Sequence, residues 1–301
     1  VELPEPEPAL RTVTLEDLAR FFANPARWLL RERLGIRPDE GEEALETREP
    51  FVLDGLGSHQ LVGRMLQLHR EGRSAEEIET VMRAAGALPH GQVGECVFAG
   101  ARERVARFAG KLGRVLPRRE IEPLVVDLAL GEFRLTGRLT GLTPAGWVGY
   151  RLAAIKANDY LNLWLRHLVA NAAVPEGVAP QSHWVAEDKD VLLDPVEDPE
   201  RQIRVLLELY WRGMRRLLHF FPKSALVYVE RLRKDRDGDK ALRAARAEWE
   251  GSEHRESRPE REDAYYQLAF RDTEPLDEEF VELATVVFEP LFARIRREAE
   301  D

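Results

Sequence analysis

From Ile121 to Leu152 the chain reads IEPLVVDLALGEFRLTGRLTGLTPAGWVGYRL, rich in β-branched and aromatic residues and interrupted at Leu130-Gly131-Glu132 and at Thr143-Pro144-Ala145-Gly146. Such interruptions are turn signals, so the stretch is expected to form three strands in a meander. The sequence on both sides has a helical period instead. A short β-rich centre inside a mostly helical chain restricts the fold to the α/β (α+β) class, a small sheet with helices packed around it.

Thr14 opens TLED, a capping-box-like start, and Leu15, Leu18 and Phe22 follow at helical spacing. Asn24 and Pro25 then interrupt the pattern. Asn is a good N-cap and Pro suits the first helical position, so FFANPARWLLRERLGI reads as a short helix, a break and a second helix ending near Gly35. Asp54 and Ser74 are expected to cap two further helices, and GQVGECVFAGARERVARFAGKLGRV to form a longer one. After the strands come an apolar helix, LNLWLRHLVANAA, and QSHWVAEDKDVLL, a further strand or a hairpin reaching out from the body. The expected organisation is a linker over residues 1–13, a helical part over 14–116, a sheet and helix core over 117–195 and a helical part over 198–301. The chain begins at Val1 and opens VELPEPEPAL, of Pro/Glu-rich linker character, so a piece of a longer protein is expected.

A hydrophobic share of 44% is ample for a core. No apolar run approaches the roughly 20 residues of a membrane helix and no signal sequence is visible, so a cytoplasmic protein without membrane contact is the expectation. The single cysteine, Cys96, excludes internal disulfides and cysteine-held zinc or iron-sulfur clusters. A net charge of -10 argues against a surface that is basic all over. Arg102 to Arg119 nevertheless form a positive island, in which Arg107, Lys111, Arg114, Arg118 and Arg119 are candidates for DNA phosphate contact. The alternative is a solvated helix face. Trp184 would stack on a base if its hairpin protrudes, or fill the core if it does not. Trp211, Phe220 and Phe221 have the spacing of core aromatics, with a protein-docking face as the alternative.

The order strand, strand, helix over Gly137 to Leu168 resembles the core of the RecB-like nucleases of the PD-(D/E)XK class, which implies a restriction-endonuclease-like sheet. In that class a motif like G-x-[ILV]-D-x-[ILV]-D precedes a strand ending D-x-K, and Q-x-x-x-Y follows on a helix. The carboxylates seat Mg²⁺, which activates water and takes charge off the phosphorane, while the lysine polarises that water. Here Thr140 stands at the first acid, Gly149 at the second, Arg151 at the lysine, and Tyr160 and Trp164 at the helix positions. His59 in GSHQL resembles a histidine that some active members place on the metal. Asp127, Glu132 and Asp159 are the acids from which a relocated metal set would be drawn.

ARFFANPARWLLRERLGI, REPFVLDGL, FPKSALVYVE, KALRAARAEWEG and AYYQLAFRDTEPLDEEFVELA together resemble the C-terminal region of the gamma subunits of exodeoxyribonuclease V, the RecC family. Asn24 stands where iron-sulfur relatives of the wider group carry a cysteine. The resemblance implies a nuclease fold without catalytic or metal-binding residues and without a cofactor of its own, inside a heterotrimer whose RecB and RecD subunits use Mg²⁺ and ATP. Double-stranded DNA ends and separated single strands are the implied nucleic-acid partners, and Arg151 joins the candidates for phosphate contact. Two other readings stay open: an active Mg²⁺-dependent exonuclease with relocated ligands, and a purely protein-binding helical module.

Overall fold

Thr14 starts the first helix by accepting the Asp17 amide at 3.0 Å on its hydroxyl, and Leu15, Leu18, Phe21 and Phe22 of α1 (Leu15–Ala23) then fall on one buried face. Asn24 ends α1 in an extended conformation, and its side-chain oxygen accepts the Arg27 amide at 2.9 Å, which starts α2 (Pro25–Trp28). The break expected at Asn24-Pro25 is therefore a stop and a restart by one residue. α2 runs on into a π-helical turn, Leu29–Arg33, a rare local geometry. The computed structural model describes residues 2–38, 55–116, 121–251, 258–271 and 273–296, with only the backbone described at residues 55, 56 and 59.

Helices α3 (Gly55–Arg70), α4 (Ala75–Ala84) and α5 (Gly91–Leu112) make a lobe with its own core, in which Leu61, Met65, Met82, Phe98 and Phe108 are buried. Ser74 and Glu77 form the expected reciprocal capping box. Asp54, the other expected cap, lies outside the described residues.

The β-rich centre forms β2 (Leu124–Leu130), β3 (Phe133–Leu139), β4 (Leu142–Thr143) and β5 (Gly146–Tyr150). β2 and β3 are an antiparallel hairpin, yet the third long strand, β5, does not continue the meander on β3. The ribbon bends at Thr140-Gly141. Gly141 has φ +79°, and a Cβ there would lie 2.5 Å from the Val148 carbonyl oxygen, so the bend depends on glycine. Beyond it β4 pairs antiparallel with β5, and β5 pairs parallel with β6 (Ser182–Val185) through the crossover helix α6 (Ala157–Ala173). The expected single meander is thus two small mixed sheets, one of three strands and one of four, meeting at a corner.

QSHWVAEDKDVLL is a hairpin, β6 followed by β7 (Asp190–Leu193), but it does not reach out from the body. β6 has a strand on each edge, and Trp184 is 7% exposed. The expected linker is also laid onto the body. β1 (Thr12–Thr14) pairs parallel with β3, and the Leu3 amide donates to the Arg215 carbonyl at 2.7 Å, because the outer edge of β3 offers unpaired backbone groups that a Thr-Val-Thr strand can satisfy.

The C-terminal part is helical: α7 (Pro199–Gly213), α8 (Pro222–Asp235), α9 (Gly238–Glu250), α10 (Ala264–Ala269) and α11 (Glu278–Phe292). These helices share one core with α1, α6 and both sheets; Phe220 and Phe221 are buried in it, while Trp211 packs at its margin. Alternation along β5 joins the two cores, since Trp147 belongs to the main one and Val148 to that of the helical lobe. Among the described residues, no helix is long and apolar enough to cross a membrane.

Candidate functional site

Thr140, at the corner of the sheets, is exposed, and its carbonyl accepts the Trp147 indole N–H at 2.7 Å. Gly149 is buried opposite Trp184 in the parallel β5–β6 register. A Cβ on Gly149 would lie 2.3 Å from Trp147 Cη2 and 2.6 Å from Trp184 Cε3. The space a side chain would need at that position is therefore filled by two indoles. Trp184 stands here as part of the core, with its ring centroid 6.1 Å from that of Trp147, and not as an exposed stacking surface.

Arg151 turns away to pair with Asp159 at 2.9 Å, and the same Asp159 oxygen accepts the Lys156 amide at 2.8 Å at the start of α6. Asp159 thus serves as a helix-capping ion-pair partner. Tyr160 is buried, and burial pushes its hydroxyl pKa up against the opposing effect of Lys189. Trp164 is buried in the main core and stacks on His167.

The acids weighed for a relocated metal set are engaged elsewhere. Asp127 accepts two hydrogen bonds from Arg134 on the neighbouring strand, at 2.6 and 2.5 Å, and the guanidinium holds its carboxyl below the ordinary aspartate value. Glu132 sits in the hairpin turn and pairs with Arg11. The His59 side chain lies outside what is described. Among the described residues no group of three or more His, Cys, Asp or Glu could hold a metal ion. Thr140, Gly149 and Arg151 offer a hard dication one neutral hydroxyl, no side chain and a cation, so they do not fit Mg²⁺.

The positive island on α5 is largely tied down. Arg104 pairs with Glu187 and donates to the Leu152 carbonyl; Lys111 donates to the Ala186 carbonyl at 2.6 Å and pairs with Asp190 at 2.7 Å. These two fasten α5 to the β6–β7 turn. Arg107 is solvated and pairs with Glu103 at 3.0 Å on its own helix, and Arg114 is exposed. Arg118 and Arg119 lie outside the described residues.

A family model described as the RecC C-terminal domain matches residues 10–233, most of the chain. The chain belongs to the RecC C-terminal domain family. It is 28% identical over 301 residues to the RecBCD enzyme subunit RecC of Escherichia coli (strain K12), an alignment that covers 96% of this chain and 26% of that protein. It is 22% identical over 265 residues to the RecBCD enzyme subunit RecC of Buchnera aphidicola subsp. Acyrthosiphon pisum (strain APS), covering 84% of this chain and 24% of that protein. The chain therefore spans about a quarter of the length of these curated relatives.

In this RecC-family chain a larger basic site lies where α2, α6 and α8 meet. It is a cleft of about 620 Å³ whose wall carries Arg20, Arg27, Arg31, Arg151, Lys156, Lys223 and Arg258 against Glu32, Glu260 and Asp263, so a net positive concavity exists on an acidic chain. Some of these cations are held by acids: Arg27 pairs with Asp263 at 2.8 Å and Arg151 with Asp159. Lys156 has no ion pair among the described residues. The buried Glu260 carboxylate accepts the amides of Lys223 and Ser224 and the Ser224 hydroxyl, which completes the start of α8 beneath the cleft. Except for Arg151, none of these cations was a candidate from sequence, because they are scattered from Arg20 to Arg258. The one local signal was Arg20, Arg27 and Arg31 at helical intervals around the Asn24-Pro25 break.

Proposed function

We propose that this chain is the non-cutting, nuclease-like region of a RecC subunit. It assembles with RecB and RecD in a helicase-nuclease and helps to hold and route strands at double-stranded DNA ends. The observation that carries the non-cutting reading is Gly149: the second acid position has no side chain, and two indoles occupy the space one would need. The family assignment and the relatives' description as RecBCD subunits support the assembly, and the β5–α6–β6 crossover after the β2–β3 hairpin supports the nuclease-like fold. Mg²⁺ and ATP chemistry is assigned to the partner subunits. The net positive cleft at α2, α6 and α8 is the better candidate for DNA contact than the island on α5, whose Arg104 and Lys111 already fasten the fold.

Incubating the purified chain with linear duplex DNA and Mg²⁺ or Mn²⁺ should yield no cleavage above a metal-free control. Metal-dependent products that vanish in Asp127→Asn or Glu132→Gln would defeat the non-cutting reading. For DNA contact, each phosphate neutralised contributes about 0.9 to the slope of log affinity against log salt for duplex DNA. In the assembled heterotrimer, Arg31→Glu, Lys156→Glu and Lys223→Glu together should lower the fork-binding slope by roughly 2–3. A slope unchanged by all three places the DNA elsewhere.

A further inference from the structure

A second, smaller cavity, about 290 Å³, lies at the sheet corner beside Thr140 and Gly149. Its size is near the lower end for small-molecule sites. Its polar groups are cationic or neutral: Arg70 from the end of α3, Arg166 and Asn162 from α6, the Tyr150 hydroxyl, and the Thr140 corner; among the described residues no Asp or Glu lines it. Arg166 is the decisive group. It is half-buried, it donates to the Asn162 amide oxygen at 2.7 Å, and it forms no ion pair among the described residues. Burial pushes its pKa below the ordinary arginine value, with Glu16 opposing, but a guanidinium stays charged at physiological pH. A cation partly withdrawn from water without an ion-pair contact is costly unless an anion completes it. Arg70 reaches the same cavity, donating to the Tyr150 hydroxyl at 2.7 Å with its guanidinium over that ring, and Tyr150 is 37% exposed at the mouth. Trp184 also borders the cavity, with a buried indole N–H that has no hydrogen-bond partner among the described residues.

We propose that this pocket is a receptor for a phosphoryl group, gripped by Arg166 and Arg70 at the corner where a cutting nuclease would place carboxylates and a dication. Guanidinium forks match the paired oxygens of phosphate, and the amide and hydroxyl nearby add hydrogen-bonding capacity for the remaining oxygens. The site has changed sign: acids that hold a metal, which in turn holds phosphate, are replaced by cations that hold phosphate directly. Binding without a metal leaves the phosphodiester intact. The phosphoryl group can belong to a DNA strand, internal or terminal, or to free phosphate.

Calorimetric titration of the 301-residue chain with inorganic phosphate, in chloride buffer free of divalent metal, tests this. Saturable binding is expected, weakened at least about tenfold in Arg166→Gln and partly retained in Arg166→Lys. Asn162→Asp is a second route that keeps Arg166: the new carboxylate lies one turn before the guanidinium, so it should neutralise the pocket, abolish phosphate binding and raise the melting temperature. Short oligonucleotides with a 5′-phosphate or a 5′-hydroxyl separate the sources. Preference for the phosphorylated strand assigns a strand end, equal binding of both assigns an internal phosphodiester, and response to inorganic phosphate alone assigns the free anion. Undetectable phosphate binding, equal binding by wild type and Asn162→Asp, or acetate that matches phosphate would overturn the proposal. Because no metal or cleavage enters the readout, failure here leaves the non-cutting reading standing, and failure of that reading leaves this one testable.

Discussion

Gly149→Ala should destabilise the protein by about 1–3 kcal/mol, the usual effect of forcing an extra carbon into a filled core. The new Cβ would lie 2.3 Å from Trp147 and 2.6 Å from Trp184. Trp147 is anchored by its hydrogen bond to the Thr140 carbonyl, and both rings are almost fully buried. Gly149→Asp, which puts an acid at the position compared with the second nuclease acid, should cost at least as much, about 2–3 kcal/mol, because a larger side chain must displace the same two rings. Urea unfolding of the two variants against wild type measures both effects, and titration with Mn²⁺ should detect no binding by Gly149→Asp. If that variant unfolded at the wild-type midpoint and bound Mn²⁺, the indoles would not be closing the site, and the case for a non-cutting fold would lose its physical basis.

Acid should weaken the fold through His167. This histidine of α6 is fully buried. Its Nε2 lies 3.1 Å from the Asp194 carbonyl oxygen, which can only accept, so Nε2 carries the proton and Nδ1 accepts from the Ser182 hydroxyl at 2.8 Å. Burial lowers the pKa from 6.5 to about 4; the Asp194 carbonyl and carboxylate oppose the shift, and Arg294 adds to it. The unfolded chain therefore takes up a proton as pH falls through 6.5, while the folded chain stays neutral until about 4. The unfolded state binds more protons across that window, so stability is full above it and falls on acidification, by about 3 kcal/mol in total. The difference in unfolding free energy between wild type and His167→Gln, followed from pH 7.5 to 4, isolates this contribution. The expected result is a wild-type slope steeper than that of the variant within the window, and parallel curves would show that the histidine does not titrate as its burial requires.

The parts of the fold legible in sequence were those set by local chemistry. Thr14, Asn24 and Ser74 cap helices where their hydroxyl and amide oxygens predict, and the Leu130-Gly131-Glu132 turn does join two antiparallel strands. The course of β5 was not legible, because a strand chooses its partner by the bend before it and by the crossover after it, both properties of assembled sheets. Trp184 illustrates the same limit. Its sequence environment, SHWVAEDKD, is polar enough to suggest exposure, but β5 on one edge and β7 on the other enclose it. The α5 cations looked like one face able to meet phosphate; acids at Glu187 and Asp190, distant in the chain, take up Arg104 and Lys111 once the hairpin folds against the helix.

Sequence by itself determined that the residues compared with the nuclease motif, Thr140, Gly149 and Arg151, include no carboxylate; side-chain chemistry at a given place in the chain needs no coordinates. Only tertiary structure decided which cations face a common cavity. Arg70 comes from α3, before β2, and Arg166 from α6, between β5 and β6, while Arg31, Lys156 and Lys223 come from three segments far apart in the chain. Electrostatic fields add through space, whereas sequence records charge only along the chain, so an acidic total and a basic cleft could be reconciled only after folding.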